Sequence, residues 1–148
     1  MKPINWRRVW LGGLAAGLVM NASEAALHGG MLGAEAATLF RRFGIPDTPA
    51  GWQVPALVAV TFVVGVTAVW LYAAIRPRYG PGPRTALCAG VAVWILAHLW
   101  SGVYLGAGFT GLITPTLAWL PVPWGLIEAP LGTLVGAWLY REEGADNG

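Results

Sequence analysis

Two carboxylates and two imidazoles stand inside long apolar stretches of this chain. Glu24 and His28 lie in "VMNASEAALHGG", His98 in "WILAHLWSG" and Glu128 in "PWGLIEAPLG". Carboxylates and imidazoles exchange protons and ligate metal ions, and in an apolar setting they need a partner for their charge. On a lipid-facing helix, insertion scales set the cost at ~2.5–3.5 kcal/mol per charged side chain, so these groups are expected to face one another. Each glutamate is then either neutral or ionised opposite a histidinium. Asn21, Glu24 and His28 follow Gly13 and Gly17 at helical spacing, which puts small and polar residues on a single stripe.

The elements that carry these groups follow from composition. Of 148 residues, 56% are apolar and 11% charged, with a net charge of +2. Mean hydropathy is +0.59. A soluble domain carries about 25% charged residues, so water is not the main solvent of this chain. Its charges fall in clumps, at Lys2/Arg7/Arg8, Arg41/Arg42, Arg76/Arg78/Arg84 and from Arg141 onward. The intervals between them read as spans at about 9–32, 52–75, 85–107 and 119–140 of a single transmembrane domain. Only ~15 uncharged residues separate Arg8 from Glu24, and ~12 separate Glu128 from Arg141, too few at 1.5 Å each to cross ~30 Å. Both glutamates are therefore expected inside the bilayer. Counted from the flanking arginines, Glu24 stands at ~24 Å, His98 at ~21 Å, Glu128 at ~20 Å and His28 at ~30 Å. Trp94, His98 and Ser101 share one helix face, and Gly125, Glu128, Gly132 and Gly136 share another.

The distribution of basic residues sets the orientation. With the N-terminus in the cytoplasm, only Arg41 and Arg42 fall outside, so both termini are expected to be cytoplasmic. Trp6, Trp10, Trp70 and Trp138 then line the inner interface, and Trp52, Trp119 and Trp124 the outer one. A cleaved leader at the N-terminus is disfavoured, because apolar character continues through "ALHGGMLG". Arg76, Arg78 and Arg84 flank the turn "RPRYGPGPR", where they can meet anionic headgroups, although topology alone accounts for them. Its prolines supply no N–H, so the turn is not a phosphate loop. The segment 34–43 is amphipathic and reads equally as a helix lying along the outer membrane surface or as an ordinary surface helix, and "FTGLITPTLAWLPVPW" is an apolar connection expected in the interface, in the bilayer, or against a partner.

Three readings of the polar cluster Asn21, Glu24, His28, His98 and Glu128 are open. The plainest is interhelical hydrogen-bonding, worth ~0.6 kcal/mol per contact. The second is a proton or ion relay. The third is a metal or b-type haem site; a haem between His28 and His98 is disfavoured by their ~9 Å difference in height, while Glu24, His98 and Glu128 suit a metal better. Cys88 is the only cysteine, which excludes an internal disulfide and a cysteine zinc cluster. There is no nucleophile motif and no nucleotide fingerprint, so an enzyme is disfavoured. The modest charge, placed beside the spans, gives no nucleic-acid footprint.

"GLVMNASEAALHGGMLGA" aligns weakly with "GVAVWILAHLWSGVYLGA", and "VWLYAAIRPR" with "AWLYREE", which reads as two parallel hairpin repeats. "NWRRVWLGGLAAGLVMNASEAALHG" and "WLYAAIRPRYGPGPRTA" resemble a group of small bacterial membrane proteins without known activity. The resemblance covers the first two spans and the start of the third. It implies four helices in a bacterial cytoplasmic membrane, and it brings no cofactor or catalytic residue. The expectation is thus an all-α integral membrane four-helix bundle. It serves as an accessory or stabilising subunit of a larger membrane complex, with lipid and other subunits or itself as partners. A proton, ion, metal or haem module is the alternative.

Overall fold

A computed structural model describes residues 3–140. Lys2 and the charges from Arg141 onward, used above for orientation, lie outside the described residues. Of the described residues 82% are helical, and none belongs to a strand.

Helix α1 (Trp6–Glu24) starts at Asn5, whose side chain accepts the Arg8 N–H at 3.1 Å and so satisfies one free donor of the first turn. It runs directly into a π-helical segment, Ala25–Met31. The amphipathic segment forms α2 (Gly33–Arg42). Helix α3 (Gln53–Tyr79) extends about one turn beyond the span expected from sequence, taking in Pro77. It ends where Gly80 and Gly82 adopt φ of 83° and 127°, a region that side chains with a Cβ rarely enter. Pro83 then opens α4 (Pro83–Trp94), which passes through a second π segment, Ile95–Leu99, into α5 (Trp100–Gly108). The short α6 (Pro115–Trp119) is capped by Thr114, and α7 (Pro121–Leu139) follows it. The segment 119–140, expected as a fourth span, is thus divided between the end of α6 and α7, and neither α7 nor α1 is among the helices long and apolar enough to cross a membrane.

Two helical stretches, Gln53–Tyr79 and Pro83–Gly108, are long and apolar enough to cross a membrane. Only 17% and 28% of their most apolar windows are buried. The core helix of a water-soluble protein would be largely covered, so burial within the fold does not explain their apolar character.

Helix α1 packs against α3 and α7, and α4 packs against α7 and α3. Close backbone approach makes these contacts. A methyl group on Gly12 would overlap the Gly136 carbonyl, one on Gly13 would meet Val66, and one on Gly65 would meet the backbone of Gly13 and Gly17. On α4, Gly90 meets Pro130 of α7 in the same way. The buried core is accordingly built of small residues such as Ala16, Ala68, Ala73, Ala86, Ala89 and Ala129, with a few larger ones (Val9, Met20, Val69, Tyr72). Leu57, Leu96, Ile127 and Trp138 are exposed at 68%, 75%, 72% and 81%. Large apolar side chains outside and small ones inside is the arrangement of helices that associate by packing in an apolar solvent.

At the end formed by the start of α1 and the end of α3, Tyr72 and Tyr140 meet edge to face at 5.9 Å. The Arg76 guanidinium lies 5.6 Å over the Tyr140 ring. The N–H groups of Asn5 and Gly82 donate to the hydroxyls of Tyr140 and Tyr72, at 3.4 and 3.3 Å.

Candidate functional site

The site forms where α1, the second π segment and α7 converge. Glu24 contributes from the last residue of α1, His98 from the π segment and Glu128 from the middle of α7. Each offers one ligand atom, and the three atoms all lie within 4.8 Å of one another. His98 Nε2 is 4.0 Å from Glu128 Oε1, with side-chain exposures of 13% and 3%. The other oxygen, Glu128 Oε2, is buried and makes no hydrogen bond of good geometry, although Ser23, Trp124 and Glu24 lie near enough to interact with the carboxyl.

Local sequence explains how each group is held. The imidazole of His98 sits on Gly125, where any Cβ would overlap the ring. In a π segment the hydrogen bonds run to i+5, so carbonyls near its ends need other donors. Ser101 supplies one, its hydroxyl lying 2.6 Å from the Ala97 carbonyl and 3.1 Å from that of His98. The Trp94 indole donates to the Val122 carbonyl at 2.8 Å and ties α4 to the start of α7. The Trp124 indole donates to Ser23 Oγ, also at 2.8 Å, and joins α7 to α1 beside the acids.

The other residues singled out in the sequence fall elsewhere. His28, on the first π segment, lies with Nε2 2.9 Å from Glu24 Oε2, and its side chain is 57% exposed. It touches the cluster only through Glu24. Asn21 donates to the backbone carbonyls of Gly17 and of Val58 on α3, at 2.9 and 3.4 Å. Of the three arginines beside the turn, Arg78 and Arg84 are exposed, whereas Arg76 is half-buried against Tyr140. Trp124, expected in an interfacial belt, is half-buried and hydrogen-bonded inside the fold.

Ser23, Trp124 and Gly125 were not among the residues that sequence marked as site groups. A signal was nevertheless there: Ser23 precedes Glu24, and Trp124 precedes Glu128 by one helical turn.

Two carboxylates this close repel unless a proton or a cation lies between them. Together with a neutral imidazole they carry a charge of about −2, which a divalent ion neutralises. The donor set of one nitrogen and carboxylate oxygens, without thiolate, suits zinc, manganese or ferrous iron, and the imidazole argues against magnesium and calcium. Bonds of ~2.0–2.2 Å place tetrahedral ligands ~3.3–3.6 Å apart, so side-chain rotation of about 1 Å would close the cluster on an ion.

In comparisons with known proteins, no family profile, no curated protein and no solved structure matches the chain.

Proposed function

We propose that the chain is a four-helix integral protein of the bacterial cytoplasmic membrane, its termini cytoplasmic, that binds a divalent transition-metal ion between its helices. The protein ligands are Glu24, His98 and Glu128, and the remaining coordination positions are open to water or a further ligand. The observation that carries this reading is the convergence of three ligand atoms from three separate elements to within 4.8 Å of one another, with His98 and Glu128 only 13% and 3% exposed. The membrane setting is supported by two long, exposed apolar helices and by the small-residue core.

The test is elemental analysis of protein purified in mild detergent, followed by titration with Zn²⁺, Mn²⁺ and Co²⁺. About one ion per chain is expected in the wild type, and none in Glu128→Gln or His98→Ala variants that retain wild-type helicity. Equal binding by wild type and variants, or no binding by either, would refute the assignment.

A second reading, an accessory or stabilising subunit of a larger membrane assembly, is favoured by the outer connection. There Leu112 and Trp119 are 50% and 44% exposed beside an open cavity of about 370 Å³ bounded by Arg42, Thr110, Ile113 and Trp119. Mass measurement of the same preparation decides it: stoichiometric partner chains support a subunit, and a monodisperse preparation of this chain alone counts against one.

A further inference from the structure

Exposure falls steadily along the four titratable groups, from 57% at His28 through 27% at Glu24 and 13% at His98 to 3% at Glu128. Space is equally one-sided. Beside His28, Gly29 and Gly30 face open space, with nothing within 4 Å of where a Cβ would stand. Beyond Glu128 the helices close. Gly132 is packed on Met20 and Ala16, Gly136 on Gly12 and Val69, and Thr133 is fully buried with its hydroxyl donating to the Ala129 carbonyl at 2.7 Å. Among the described residues the helices beyond Glu128 pack without a polar path, whereas on the other side an exposed imidazole touches the outermost ligand at 2.9 Å.

Resting on the metal-binding reading, we infer that the site is a blind pocket filled from the His28 end only, with His28 as the side chain that first captures the ion and passes it to Glu24. An exposed imidazole is a competent ligand for a partly hydrated divalent transition-metal ion. Its position on a π turn, next to two glycines, lets the ring move between solvent and Glu24. A capture ligand that is not part of the final coordination shell lowers the barrier in both directions, so it changes the rates of binding and release together and leaves the equilibrium alone. The protein is then a receptor for an ion arriving from one side, with no channel through it.

The experiment uses full-length protein in detergent, Co²⁺ as the probe, and stopped-flow quenching of tryptophan fluorescence beside equilibrium dialysis. His28→Gln keeps a donor for Glu24 but loses the imidazole. Its association and dissociation rates are both expected to fall about tenfold, with a Kd within about threefold of wild type. A change in Kd carried by dissociation alone would make His28 a positioning residue for Glu24 and overturn the capture role. In a Cys88→Ser background, Gly29→Cys joined to a bulky charged thiol reagent should block Co²⁺ uptake, and the same adduct on Arg78→Cys at the opposite end should not. Uptake at the wild-type rate by the Gly29→Cys adduct overturns one-sided access. Absence of Co²⁺ binding by the wild-type protein overturns the metal reading itself, and this inference with it, a result distinct from binding that ignores His28.

Discussion

Gly125 of α7 is the seat of the His98 imidazole: a single methyl group at position 125 would occupy the space now filled by the ring. Gly125→Ala is therefore expected to push His98 out of register with the acids. Overpacking of this kind costs ~1–3 kcal/mol, and misplacing a ligand weakens metal affinity by about 10–100-fold. Co²⁺ titration and thermal unfolding in detergent read both effects. Gly29→Ala, facing open space, is the control and should leave stability and the equilibrium affinity near wild type.

The Trp124–Ser23 bond holds α7 to α1 beside the acids. Trp124→Phe removes the donor and Ser23→Ala the acceptor, and each should cost ~0.5–1.5 kcal/mol in denaturant unfolding. Because the two changes delete the same bond, the double variant should cost clearly less than the sum of the single ones. Strict additivity would mean that the bond contributes nothing to stability.

Stripping the ion should loosen the fold. A ligand at 100 times its Kd stabilises by ~2.7 kcal/mol, so chelator is expected to lower the unfolding temperature of the wild type, and added Zn²⁺ to restore it. Glu128→Gln should show no response to either. A wild type indifferent to chelator and metal would count against the site.

Cys88 is exposed midway along α4, about one and a half helical turns after Pro83. If its face of the helix meets lipid, a small membrane-permeant maleimide should label Cys88 in native membranes, whereas a permanently charged thiol reagent should react far more slowly. Equal rates with the two reagents would argue that water, and not acyl chain, covers α4.

The all-helical class and two of the four expected spans were legible, because apolar intervals and charge spacing are coarse signals. The short gap between Arg8 and Glu24 led to the expectation that Glu24 faces other helices, and in the fold it is half-buried beside His98 and Glu128. The two π segments were not legible. A stripe drawn at 3.6 residues per turn put Asn21, Glu24 and His28 on one face; Glu24 and His28 do meet, at 2.9 Å, whereas Asn21 binds the backbones of α1 and α3. Their hydrogen-bond register is set by tertiary packing, as is the contact of Trp124 with a residue 101 positions away in the chain. Periodicity within one helix carries neither.

The π segments also make the site sensitive to residue number as well as residue type. Each wider turn holds about one residue more than an α turn. Removing one exposed residue ahead of the imidazole, such as Leu96 before His98, would close the segment to α geometry, leave α5 near its register, and re-aim the imidazole that lies inside the segment. A loss of three nucleotides in phase could thus erase the ligand geometry while every chemical group named in it survived.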